Sequence, residues 1–131
     1  EKALAIAAPY AAAVMAKMGL QVTAQEADGR AAAVVEQGLS EAGVDLVTRD
    51  FATPAGSDYD VIVCEAAAAE APQAWLDALR PGGRMAMVVR DGPVGKARLF
   101  LKGERGASSR ELFDSTPSML AGFERAPTFQ F

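Results

Sequence analysis

Along most of the chain, short apolar runs alternate with segments whose apolar residues recur at helical spacing. Ala3 to Ile6 reads as a buried strand. After Ala7-Ala8-Pro9, the Ala-rich stretch Tyr10 to Met18 predicts a helix that Gly19 ends. Leu20 to Gln25 (LQVTAQ) carries the alternation of a short strand. Asp28 is placed to cap a helix from Gly29 to about Ala42, in which Ala31, Val34, Val35 and Leu39 share a face and Gly43 is the stop. Val44 to Thr48 supplies a third strand.

A polar stretch, Ala52 to Asp58, leads into Tyr59-Asp60-Val61-Ile62-Val63-Cys64, continuously apolar after Asp60 as a strand buried on both faces requires. Pro72 stands near the first turn of a helix through Trp75, Leu76 and Leu79. Leu79 to Arg84 (LRPGGR) is a turn, and Met85 to Val89 the fifth strand. This alternation is that of βαβ units and predicts a parallel sheet with right-handed crossovers. Ala97 to Lys102 and Ser109 to Phe113 then flank a glycine-containing turn with no helix between them, the pattern of an antiparallel hairpin. Ser115 to Phe131 reads as irregular, with Phe123, Phe129 and Phe131 as anchors.

Composition narrows the function classes. At 131 residues, half of them apolar, the chain is one domain's worth with a real core. No apolar run reaches the roughly 18 residues of a membrane helix. A net charge of −4 without a basic cluster argues against nucleic acid as an obligate partner. A single cysteine cannot form an internal disulfide, so a cytoplasmic location is the expectation. The chain opens at Glu1 and runs straight into a core strand, which suggests a longer parent whose N-terminal part is absent.

The segment Tyr59 to Arg84, YDVIVCEAAAAEAPQAWLDALRPGGR, carries a more specific signal. It resembles the protein-L-isoaspartate O-methyltransferase family, as do VGKARLF and the tail FDSTPSMLAGFERAPTFQF. L-x-P-G-G-R alone is shared by many methyltransferases; the ungapped stretch with the tail is more telling. The resemblance implies a Rossmann-like class I methyltransferase fold: a mostly parallel seven-stranded sheet, an antiparallel C-terminal hairpin and helices on both faces. It also implies S-adenosylmethionine as cofactor and an isoaspartyl-containing protein or peptide as substrate.

In such a sheet the ligand lies outside the carboxyl ends of the strands, where the strand order reverses. Glu26, ending the second strand, can accept both ribose hydroxyls of an adenosine. Asp50 follows the third strand and is a candidate for the adenine amino group, with Phe51 against the adenine face. Glu65 leaves the fourth strand toward the same crevice, and Ala7, Ala8, Tyr10 and Ala27 complete the candidate cofactor contacts.

Two departures stand out. The family's first loop holds an acidic residue and several glycines; here Ala5-Ile6-Ala7-Ala8-Pro9-Tyr10 has neither and is short. Either the loop is degenerate, or residues are missing between Ala8 and Pro9 or Tyr10. Nor does the sequence hold the region before the first strand that supplies the family's acceptor-side hydroxyl, so no catalytic residue is carried over.

The zero histidine count is no objection, because a carboxylate acceptor is already ionised at pH 7. Cys64, Trp75 and the methionines read as core, and Arg80, Arg84 and Arg90 as turn charges, Arg90 also being placed to face a carboxylate substrate. The leading expectation is methyl transfer to isoaspartyl carboxylates in damaged proteins. The alternatives are a non-catalytic domain of this fold or a small-molecule methyltransferase. A dinucleotide dehydrogenase would want G-x-G-x-x-G after the first strand, which is absent.

Overall fold

The computed structural model describes residues 1–90, 92–120 and 122–124. Ten elements follow in order: β1 (Lys2–Ile6), α1 (Pro9–Lys17), β2 (Gln21–Glu26), α2 (Gly29–Glu41), β3 (Asp45–Thr48), β4 (Tyr59–Ala68), α3 (Gln73–Asp77), β5 (Leu79–Arg90), β6 (Gly95–Gly103) and β7 (Gly106–Asp114). The strands form one sheet in the order β3-β2-β1-β4-β5-β6-β7. β1 to β5 are mutually parallel where they pair, and β6 and β7 close the sheet antiparallel. This is the architecture expected from the alternation and the hairpin signal.

Two cores lie on the two faces, because successive side chains of each central strand point to opposite sides. Ala3 and Ala5 of β1 face α1 and α2 and pack with Ala12, Met15, Val22, Ala24 and Leu39. The small residues let the helices approach closely. Leu4 and Ile6 face the other way and pack with Ile62, Trp75, Leu79, Met85 and Phe100. Leu4, Ile6, Ile62 and Met85 are fully buried, each stabilising the fold by about 1.5–3 kcal/mol relative to exposure. Leu101 and Phe113 at the hairpin end remain 46% and 63% exposed.

The helices stop and start as the local chemistry dictates. The Asp28 carboxylate accepts the Ala31 amide at 2.8 Å and caps α2. Gly19 and Gly43 sit at φ +93° and +79° after α1 and α2, a left-handed conformation that only glycine adopts freely.

Three elements differ from expectation. β4 continues to Ala68 rather than ending at Cys64, after an irregularity in its pairing with β5 between Val63 and Ala67. Ala66 to Ala68 therefore extend the strand beyond Cys64, and Ala67 to Ala69 are buried. α3 is only five residues, with Pro72 as its N-cap near the first turn as expected, and Leu79 opens β5 instead of continuing the helix. β5 begins at Leu79, so the PGG segment lies within a strand broken by a register shift. Gly82 has φ +86°, and a Cβ on Gly83 would stand 2.9 Å from the carbonyl oxygens of Arg80 and Tyr59. Both glycines are thus demanded by backbone geometry, independent of any ligand.

Of the three phenylalanine anchors, Phe123 packs on Trp75 with ring centroids 5.5 Å apart. Phe129 and Phe131 lie outside the described residues. Arg90 holds the tail: its Nε donates to the Gly92 carbonyl at 2.9 Å and its Nη1 to that of Pro117 at 3.0 Å. Arg80 pairs with Asp60, whose carboxyl is held below its ordinary pKa chiefly by the Lys2 amide and then by Arg80.

Candidate nucleoside crevice

The connections from β1 to β2 and from β3 to β4 leave on opposite sides of β1, so the strand order reverses between β1 and β4. The carboxyl ends of these strands flank that switch, where open α/β sheets bind their ligands. Glu26 ends β2 there and is only 8% exposed. No hydrogen-bond donor among the described residues reaches its side chain, and its oxygens still open to the crevice surface. Burial pushes its carboxyl above the ordinary glutamate range, and the charges of Asp28 and Glu65 push the same way. Water at the crevice surface can reach these oxygens, and a ligand bringing hydroxyl donors would take its place.

Glu65 stands in the irregular part of β4, a place where strands commonly re-aim a side chain. Its Oε1 accepts the amide of Ala11 at 2.7 Å, in the first turn of α1. Ala8, the N-cap of α1, has no capping side chain, so a residue 54 positions away does that work. The chain closes from Ile6 to Pro9 through only Ala7 and Ala8. Ala7 takes φ +48°, with its amide on the Gln25 carbonyl at 3.1 Å, and Ala8 is buried. An alanine in this region costs about 1 kcal/mol that glycine would not.

The loop after β3 is fixed by two residues the sequence reading did not assign to the site. Gln25 is fully buried; its Nε2 donates to the carbonyls of Asp50 and Thr53 at 3.0 and 3.1 Å, and its Oε1 accepts the Ala55 amide at 2.9 Å. Trp75, also fully buried, donates its indole N–H to the Phe51 carbonyl at 2.7 Å. Gln25 falls in the polar register of the strand alternation, with Gln21 and Thr23, so nothing in the sequence marked it as buried.

Asp50 is exposed and its carboxylate accepts the Ala52 amide at 3.0 Å, a local turn. Phe51 is half-buried against the Trp75 side of the core. Ala27 is exposed beside Glu26. Tyr10 is 76% exposed and lines a groove between α1 and α2 with Ala13, Val34 and Val35. Asp28 and Glu65 therefore act electrostatically on Glu26, Asp50 and Phe51 ride on the Gln25-anchored loop, and Tyr10 lies over the groove between α1 and α2.

Cys64 is buried, and desolvation pushes its thiol up to about 12, which removes it as a nucleophile at neutral pH. No cluster of metal-ligating side chains occurs among the described residues, and none of their helices is long and apolar enough to cross a membrane.

A seven-stranded sheet of this order, its last two strands antiparallel and a carboxylate at the end of β2, defines a class I methyltransferase fold. Within that class, the family model for protein-L-isoaspartate(D-aspartate) O-methyltransferase matches residues 8–111, and the chain belongs to that family. A protein-L-isoaspartate O-methyltransferase of Pseudomonas paraeruginosa is 44% identical over 57 residues, covering 44% of this chain and 26% of that protein. One from Pseudomonas syringae pv. tomato is 41% identical over 59 residues, covering 45% and 28%.

Among solved structures, a protein-L-isoaspartate O-methyltransferase superposes with TM-score 0.82 at 22% identity, over 92% of this chain and 42% of the other. A Plasmodium falciparum protein described as a putative member, in complex with S-adenosyl-L-homocysteine, gives 0.73 at 14% identity, over 91% and 65%. At these identities the structural likeness is one of fold. The chain spans about a quarter of the length of the curated relatives it matches.

Proposed function

We propose that this chain forms the cofactor-binding body of a protein-L-isoaspartate O-methyltransferase, acting on isoaspartyl carboxylates of damaged proteins in the cytoplasm. The observation that carries the reading is Glu26: a buried, unpartnered carboxylate at the end of β2, in a chain whose family model covers most of its length.

The residues present fit the nucleoside half of S-adenosylmethionine. Glu26 lacks donors and a ribose diol offers two. The loop carrying Asp50 and Phe51 is held by Gln25 and Trp75, so an adenine meets a preformed edge. Bound there, the cofactor supplies an electrophilic methyl group. The chain's own work is to hold the nucleoside, keep the crevice oriented and orient the acceptor; an isoaspartyl carboxylate is ionised at pH 7 and needs no general base. That agrees with a chain holding no histidine.

The test is methyl transfer from labelled S-adenosylmethionine to a peptide containing isoaspartate and to its normal aspartyl isomer. Label on the isoaspartyl peptide alone supports the repair reading. Equal inactivity on both removes it, and transfer to a small molecule instead would point to another methyltransferase of the fold.

A further inference from the structure

β1 ends at Ile6, opposite Cys64, whereas β4 runs on to Ala68. Beyond Cys64 the edge of β4 at the switch point therefore has no partner from β1. β5 takes one side of Ala67 through Val88, and a segment after β7 takes the other. The Ala67 amide donates to the Ser118 carbonyl at 2.9 Å, and the Leu120 amide donates to the Ala67 carbonyl at 2.8 Å. Met119 is thus a one-residue parallel strand on the β1 side of β4.

The segment 115–120 reaches this place as a strap. It leaves β7 with the Ser115 amide on the Gly95 carbonyl at 2.9 Å, and Arg90 Nη1 then donates to the Pro117 carbonyl at 3.0 Å. Met119 packs on Ala67, Val88 and Ala97. Leu120 is buried in the core and Phe123 lies on Trp75, which anchors the far end. Between the anchors Thr116 and Ser118 are exposed, and a single bridge joins the strap to the sheet. Such a segment opens at lower cost than the strands beneath it.

We propose that this strap is an autoinhibitory contact: it occupies the edge of β4 with which an extended acceptor peptide pairs, and the acceptor enters only as the strap lifts. The inference rests on the isoaspartyl-acceptor reading given above. Lifting the strap alone would leave the amide and carbonyl of the fully buried Ala67 unpaired, which is costly. An extended peptide carries the same alternation of carbonyl and amide and restores both bonds by strand addition. A compact small molecule has no such backbone. The closed state is favoured by Arg90, whose bond to Pro117 is lost when the strap lifts. Arg90 is a positioning residue, acting on the acceptor through the strap.

Amide hydrogen exchange followed by NMR in the unaltered protein, with and without a peptide containing isoaspartate, reads the change of partner directly. The peptide should speed exchange at Leu120, which loses its acceptor, about tenfold or more, while Ala67 stays protected. Measured by fluorescence anisotropy, Arg90→Ala should bind the labelled peptide up to about tenfold more tightly, the worth of one charged hydrogen bond removed from the closed state. Arg90→Lys, which keeps a charged donor, should fall between the two. Peptide binding that leaves Leu120 as protected as before overturns the strap, as does an affinity unchanged in Arg90→Ala; either result leaves the acceptor reading standing. No binding of the peptide by the unaltered protein or by Arg90→Ala overturns both.

Discussion

Gln25 is the residue on which the geometry of the crevice edge most depends, and replacing it by leucine, close in size and without polar atoms, isolates that role. In the structure its amide makes three hydrogen bonds to the loop after β3: to the Asp50 and Thr53 carbonyls and from the Ala55 amide. Each is a neutral bond with a net worth of about 0.5–1.5 kcal/mol. Leucine would lose all three. Asp50 and Thr53 are exposed residues, so their carbonyls can regain water if the loop shifts, which keeps the cost from reaching the full desolvation penalty.

The expected loss for Gln25→Leu is about 3 kcal/mol, a large share of a domain's typical 5–15 kcal/mol. Trp75 is the single tryptophan and its indole N–H bonds to Phe51 in the same loop, so its fluorescence reports both global unfolding and local loosening. Urea titration followed at Trp75 should show the midpoint fall with the slope unchanged. A loss below about 0.5 kcal/mol would mean that the three bonds are replaced by water without cost, and would refute the reasoning.

Other expectations follow from the same geometry. Glu26→Gln should raise the melting temperature at pH 7: the folded carboxyl has a raised pKa, so its ionised form opposes folding as pH climbs through that value. The gain should vanish below the ordinary glutamate pKa, where both side chains are neutral, and a lower melting temperature at pH 7 would contradict the account. Cys64, its thiol pushed up to about 12, should resist iodoacetamide at pH 8 in the native protein and react once urea unfolds it; rapid native labelling would refute its burial. Ala7→Gly should stabilise the fold by about 0.5–1 kcal/mol by relieving the φ +48° backbone, read by thermal melting.

What the sequence made legible was whatever is local or periodic. The Asp28 cap, the glycine stops, the central strand after Asp60 and the terminal hairpin all rest on neighbours within a few positions, and the parallel pairing follows from the alternation of strands and helices. The misplaced end of β4 has a tertiary cause. The run Ala66 to Ala69 has no β-branched residue to mark a strand, yet pairing with Val88 and Val89 of β5 holds Ala67 and Ala68 in one. Tertiary contact overrode propensity there.

Of the candidate residues, Glu26 and Glu65 were placed by the rule that ligands meet strand ends. What Glu65 does, reaching an amide 54 residues away, depends on the fold being complete. Gln25 was invisible for the same reason: its three partners lie 25 to 30 residues downstream in sequence.

The most direct test of the account titrates adenosine into the protein and into its Glu26→Gln variant, with 2′-deoxyadenosine alongside. If the buried carboxylate receives the ribose diol, the unaltered protein binds adenosine at least tenfold more tightly than its 2′-deoxy analogue, and the variant loses both the affinity and the discrimination. Equal binding of the two nucleosides by the unaltered protein, or an affinity unchanged in Glu26→Gln, would contradict it.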